Sequence, residues 1–133
     1  MYEKPLPVIE PLTRPFWEHA RRGQLVVQAC GSCGHLHMPP TCVCPQCLGT
    51  ELVWRPVSGR GKLVSWVVFH RAYWPAFKSG LPYNVCLVQL DEGPLFVSNL
   101  IDSDAAALEV GKPVTVTFDR VTDEVTLPKF QLA

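Results

Sequence analysis

Six cysteines stand in a chain of 133 residues, and five of them fall between positions 30 and 47. Four make two Cys-x2-Cys pairs, Cys30 with Cys33 and Cys44 with Cys47, separated by the ten residues from Gly34 to Val43. Two such pairs can place four thiolates at the corners of a tetrahedron once the chain folds back on itself, which is the geometry of a structural zinc site. A closed four-cysteine shell leaves no position for water or substrate, so the ion is expected to hold structure and to do no chemistry. The same ligation also suits an iron centre, and paired thiols also serve redox chemistry. Gly31, Gly34 and Gly49 supply the dihedral freedom that such turns use. Cys42 is two residues before Cys44 and is an alternative third ligand; its plainer reading is a free thiol. Cys86, inside the apolar run YNVCLVQL, reads as a core residue. His35 and His37 lie close to the cysteines, but four thiolates suffice, and both are expected on the wet face of a strand.

Other chemistry is hard to find. The sequence has no phosphate-cradling glycine loop with a lysine, no nucleophile elbow and no HExxH helix. Asp102 with Asp104 and Asp91 with Glu92 form acidic pairs, yet both lie in turn-like sequence where acids serve solvation and capping. The stretch HRAYWPAFKSGLPY is more informative. Tyr73, Trp74, Phe77 and Tyr83 crowd into a loop beside His70, Arg71 and Lys78. Aromatics on a loop either fold back as a plug over a barrel end or form a surface for a ligand or partner. Phe16 and Trp17, on a short helix, pose the same question. The candidate contacts with a ligand or partner are therefore Phe16, Trp17, Arg71, Tyr73, Trp74, Phe77 and Lys78.

These residues need elements to position them. Pro5, Pro7 and Pro11 make the first eleven residues extended. Thr13 can cap a helix over RPFWEHARR, with Pro15 in its first turn, Arg21 and Arg22 at its end, and Gly23 closing it. QLVVQA then reads as a strand into the first cysteine turn, HLHM leads through two prolines to the second, and ELVW returns. This ribbon ends at VSGRGK. KLVSWVVFH, YNVCLVQL, LFVSNLI, PVTVTFD and EVTL read as five strands, enough for a small closed barrel of OB type, with a long loop after the first and a short helical stretch around DAAALEV. In PVTVTFD, Val114, Val116 and Phe118 alternate with Thr115, Thr117 and Asp119, which predicts one wet face. The fold class is mainly β: a short N-terminal helix, a zinc ribbon and a five-stranded OB-fold barrel. The expected units are residues 1–23, an extended segment and helix, 24–56, the ribbon, and 57–133, the barrel.

Composition narrows the class of function. Hydrophobic residues make up 47% and charged residues 18%, a globular composition. No apolar stretch approaches the roughly 20 residues that cross a bilayer, and the N-terminus lacks the pattern of a secretory signal, which points to the cytoplasm and to reduced thiols. Twelve basic residues balance twelve acidic ones, which disfavours nucleic acid, whose binders carry a basic excess.

The linked order of FWEHARRGQLVVQACGSCG, MPPTCVCPQC, VSGRGKLVSW, VQLDEGPLFVSNLI, VGKPVTVTF and EVTLPKF, spanning Pro15 to Phe130, resembles the zinc-ribbon/OB-fold acyl-CoA-associated proteins. The resemblance implies a rubredoxin-like ribbon, with Cys30, Cys33, Cys44 and Cys47 as zinc ligands and Cys42 outside the set. It further implies a non-catalytic subunit that docks a thiolase-superfamily enzyme, in some cases an acyl-CoA hydratase, and helps shape an acyl-CoA channel shared with that partner. The carbon-carbon chemistry would then be the partner's, and Arg71 to Tyr83 would correspond to the variable region on the acyl-CoA side of the barrel. Thr41 departs from the arginine common after the two prolines, and the helix before the ribbon is shorter than is usual. Two competing readings are a nucleic-acid-binding ribbon and barrel, with aromatics stacking on bases, and a free-standing acyl-CoA carrier or hydrolase, for which no nucleophile or base is evident.

Overall fold

The computed structural model describes residues 2–133. After an N-terminal arm without regular structure, helix α1 (Arg14–Arg21) opens the fold. Pro15 occupies its first turn as expected, and Gly23, at φ 74°, closes it. Thr13 does not cap it: its hydroxyl faces back, accepting from the Glu10 N–H at 3.1 Å, and the helix start carries no side-chain cap. The proline-rich arm supplies a nearer competing partner for that hydroxyl.

Three strands make the ribbon: β1 (Val26–Cys30), β2 (Leu36–His37) and β3 (Leu52–Pro56), in the order β2-β1-β3, all antiparallel. Five more make the second sheet: β4 (Arg60–Phe69), β5 (Tyr83–Leu90), β6 (Leu95–Ser98), β7 (Pro113–Arg120) and β8 (Thr126–Leu132). Their order is β6-β5-β4-β7-β8. The two edges then meet. Leu100 and Phe130 form a parallel bridge, the Phe130 N–H donates to Asn99 O at 2.9 Å, and the Ile101 N–H donates to Phe130 O at 2.8 Å. A sheet closed in this way is a small barrel with no long free edge.

One irregularity in β4 sets which residues face the interior. Leu63 pairs with Val88, but the next pair is Ser65 with Leu87, so Val64 is an extra residue. Before this bulge the odd-numbered Leu63 points inward and is buried; after it Trp66 packs toward the core, opposite buried Cys86. At the other end of the strand, Gly59 has φ 79° and presses against Val116, a position with no room for a β-carbon.

A continuous buried cluster joins Phe16 of α1, Leu25, Val26 and Val27 of the ribbon, and Leu63, Val88, Phe96 and Phe130 of the barrel. All five residues of β1 are buried, because this strand lies at the centre of its own sheet and against α1. The sequence patterns differ from the structure in three places. PVTVTFD is less clearly two-sided than its alternation predicts: Val114 is buried, while residues 115–119 are all half-buried. The loop RAYWPAFKSGLP contains a 3₁₀ turn, Pro75–Gly80, and β8 continues past EVTL to Leu132. Among the described residues no helix is long and apolar enough to cross a membrane.

Candidate metal centre and its surroundings

The two cysteine turns are built alike. In the first, Gly34 N–H donates to Cys30 O at 2.9 Å; in the second, Leu48 N–H donates to Cys44 O at 2.9 Å. The residue after the second cysteine of each pair has positive φ, 78° at Gly34 and 64° at Leu48. Within each turn an amide points at a sulfur: Ser32 N–H donates to Cys30 Sγ at 3.4 Å and Gln46 N–H to Cys44 Sγ at 3.3 Å. Gly49 N–H adds a third such bond, to Cys47 Sγ at 3.4 Å.

Strand β1 brings in Cys30, and the return of the chain before β3 brings in the second turn. The four sulfurs of Cys30, Cys33, Cys44 and Cys47 all lie within 4.8 Å of one another. Cys30 and Cys47 are 3.6 Å apart, and Cys33 and Cys44 are 3.7 Å apart. A tetrahedral zinc with Zn–S bonds of about 2.3 Å requires sulfurs about 3.8 Å apart, so the donor set fits one ion. Gly49 is part of the fit: a β-carbon there would sit 3.2 Å from Cys47 Sγ and 3.6 Å from Cys30 Sγ.

Electrostatics of the thiols point the same way. The backbone N–H groups of Cys33 and Ser32 turn toward Cys30 and hold its thiol down to about 6. At Cys47 the Gly49 N–H also pulls downward, but the sulfurs of Cys30 and Cys33 outweigh it and push the thiol up to about 12. One thiolate forms readily and further ones are resisted by its charge, so four thiolates together call for a cation among them. Cys42 is exposed and lies outside the cluster. Cys86 is buried, as expected of a core thiol, and burial raises it to about 11.

His37 corrects the expectation of a wet strand face. It is buried, its Nε2 lies 2.7 Å from Gln28 Oε1 and 3.1 Å from Thr41 Oγ1, and burial lowers its pKa. Thr41 completes the link, its N–H donating to Gln28 Oε1 at 2.8 Å and its hydroxyl to Val43 O at 2.6 Å. This network of short polar side chains fixes the link between the two cysteine turns. His35 remains half-exposed, stacked on His37 at 5.8 Å.

The aromatic candidates divide. Phe77 and Tyr83 are half-buried and pack on each other at 5.2 Å, Tyr83 stacks on Phe69 at 5.0 Å, and Lys4 of the arm lies 5.0 Å above Phe77. These pack back on one another and on the outer side of β4 and β5. Tyr73 and Trp74 are exposed, with Arg71 lying 5.4 Å over the Tyr73 ring, and Lys78 is also exposed. Phe16 is buried against Trp54 and Phe96, while Trp17 is half-buried at its edge. Both line an apolar groove of about 460 Å³ that also takes in Met38, Pro40, Leu95 and Val97. Sequence reasoning missed this groove, whose walls come from three distant segments.

Residues 17–53 match the family description "ChsH2, rubredoxin-like zinc ribbon domain", and residues 54–119 match "ChsH2, C-terminal OB-fold domain". The chain belongs to the ChsH2 (DUF35) family. Its ribbon is a zinc ribbon, and the four-sulfur cluster suits one structural zinc ion. The "Probable enoyl-CoA hydratase alpha subunit" of Thermomonospora curvata is 35% identical over 130 residues, 98% of this chain. The chain spans only 40% of that relative's length. A "DUF35 domain-containing scaffold protein" of Methanothermobacter thermautotrophicus is 32% identical over 110 residues, 81% of this chain and 82% of the relative. Among solved structures, a chain of the "Ltp2-ChsH2(DUF35) aldolase" is 34% identical with a TM-score of 0.86, covering 96% of this chain and 98% of that one.

Proposed function

We propose that this chain is a non-catalytic accessory subunit of an acyl-CoA-processing complex. It docks a thiolase-superfamily enzyme that forms or cleaves carbon-carbon bonds of acyl-CoA thioesters, and it helps shape the channel for the acyl-CoA the two share. Residues 1–23, 24–56 and 57–133 act as arm and helix, ribbon and barrel of one scaffold. In that scaffold Cys30, Cys33, Cys44 and Cys47 hold the zinc. Bound there, the ion would cross-link the two cysteine turns; the amides of Ser32, Gln46 and Gly49 donate to the sulfurs and offset the excess negative charge of four thiolates. The complex works in the cytoplasm, where thiols remain reduced.

The observation that carries this reading is the end-to-end likeness to the chain of the Ltp2-ChsH2(DUF35) aldolase. Geometry supports it. The one cluster of metal-ligating side chains among the described residues is closed by four sulfurs. Exposed aromatic and aliphatic surface, in contrast, is plentiful. Trp17, Arg71, Tyr73, Trp74 and Lys78 remain the candidate contacts, with Phe16 and Phe77 as their supports.

The test is purification of the tagged chain from its native host at moderate salt, with mass spectrometry of bound proteins and light scattering of the assembly. A thiolase-superfamily subunit in fixed ratio is the expected result. Recovery of the chain alone or with nucleic acid would overturn the accessory role; recovery with an acyl-CoA hydratase in fixed ratio would keep that role and replace the thiolase-superfamily enzyme as the partner.

A further inference from the structure

The outward face of β4, β5 and β6 is as apolar as many interiors. Cross-strand register pairs Val67 with Val85, Phe69 with Tyr83, and Leu87 with Val97, all on the side opposite the buried Cys86, Val88 and Phe96. Leu95 extends the row beside Val97. A sheet with one solvated face alternates polar residues outward; here Lys62, Ser65 and Gln89 do so, and Lys62 and Gln89 sit together at one end of the face. The face continues at one end into the groove beside Trp17 and Met38, and at the other through Phe69 to Tyr73, 6.2 Å away.

Exposure within it is high: Val67 is 55% exposed, Leu95 48%, Val97 66%, Tyr73 66% and Trp74 58%. Scaled by ordinary side-chain sizes, these five residues offer about 600 Å², at or above the largest patch of a typical monomer and near the ~800 Å² a specific interface buries per partner.

Charge says what covers it. Between Leu52 and Leu90 the chain carries Arg55, Arg60, Lys62, Arg71 and Lys78 and no acidic residue. Arg71 and Lys78 stand exposed at the loop end of the face, where the arm brings Glu3 beside Trp74. A second copy would meet this rim with its own positive rim, which disfavours self-association. A lipid or acyl chain is also a poor occupant, because a broad open face cannot enclose the 70 to 90% of a ligand that binding sites bury.

The geometry points to the outward face of β4, β5 and β6, with Tyr73 and Trp74, as the surface that docks a folded protein partner whose own face is apolar at its centre and carries carboxylates toward Arg71 and Lys78. This deepens the accessory-subunit reading and rests on it: the partner is the thiolase-superfamily enzyme, and this is where it sits.

The test uses the complex as purified with its thiolase-superfamily subunit. A photoreactive phenylalanine analogue replaces Val67 or Val97 in turn, with Val53 on the ribbon and Val110 before β7, both exposed, as controls. Cross-links from 67 and 97 to an Asp/Glu-flanked apolar segment of the enzyme are expected, with none from 53 or 110. In parallel, the double variant Val67→Glu with Val97→Glu should bind the enzyme at least about 100-fold more weakly while keeping its zinc and its unfolding temperature. Arg71→Glu with Lys78→Glu should weaken binding about 10-fold at low salt, and less as salt rises. A complex that forms but cross-links through 53 or 110 overturns this placement and leaves the accessory role standing. Cross-links between two copies of this chain also overturn it. Failure of any enzyme subunit to co-purify defeats the accessory role itself.

Discussion

Replacing Gly59 by alanine separates two costs that usually arrive together. The residue has φ 79°, a conformation that costs an L-residue about 1 to 2 kcal/mol, offset by the roughly 0.5 to 1 kcal/mol that alanine saves in unfolded-chain entropy. Its new β-carbon would also collide with Val116 Cγ1 and stand 3.3 Å from Val116 Cβ. Crowding of that kind in a packed site costs about 1 to 3 kcal/mol. Because Val116 is held by its N–H donating to Gly59 O at 2.7 Å, neither partner is free to move away. The expected total is about 2 to 4 kcal/mol, read as a shift of the urea midpoint with unchanged slope. Gly23, with φ 74° and open space around it, is the control: Gly23→Ala carries the conformational cost alone, about 1 kcal/mol. In the double variant Gly59→Ala with Val116→Ala, the colliding methyl is gone, and the two substitutions should couple favourably by about 1 to 2 kcal/mol. If Gly59→Ala costs no more than Gly23→Ala, or if the cycle shows no coupling, the close approach of the β4 entry to β7 is wrong.

Removal of zinc by a chelator, or Cys33→Ser, should expose the amides of Ser32, Gly34, Gln46 and Gly49 to rapid hydrogen exchange while Leu63 and Val88 stay protected; Cys42→Ser should keep one zinc per chain by elemental analysis. Burial pushes the Cys86 thiol up to about 11 from its ordinary value near 9, so the stabilisation it gives is full below about 9 and is lost as pH climbs through 11. The loss is on the order of 2 to 3 kcal/mol, and Cys86→Ala should flatten that part of a stability-against-pH profile. Leu48→Gly should stabilise the second cysteine turn by up to about 1 kcal/mol in a urea melt, because it removes an exposed side chain from a left-handed conformation.

The zinc ribbon was legible because covalent-scale chemistry demands fixed residue types at fixed spacing, and nothing else in a chain explains two Cys-x2-Cys pairs so economically. Strand β5, Tyr83–Leu90, coincides with its apolar run for the same kind of local reason. Strand β8 continues beyond EVTL through Pro128, a residue type that central strands exclude. This residue sits where a proline is tolerated, in an edge strand of the sheet order, with its carbonyl accepting from Ser98 Oγ at 2.7 Å. His37 was misplaced because its burial depends on Gln28 and Thr41, partners that no periodicity announces. The apolar outward face escaped notice for a related reason. Its residues lie within runs that look simply hydrophobic, and only the register shows which half of each run faces away from the core.

That register hangs on the extra residue at Val64. Beyond it, the side of the barrel on which Trp66, Val67 and Phe69 emerge is opposite to what an uninterrupted strand would give, since a slip of one residue exchanges the two faces. A one-codon deletion of Val64 would therefore let Ser65 follow Leu63 in plain alternation, straightening the strand while Trp66 stays inward and Val67 and Phe69 stay outward. In a lineage of such scaffolds the bulge then acts as a buffer, a spare residue the first barrel strand can lose while still presenting the same outward face.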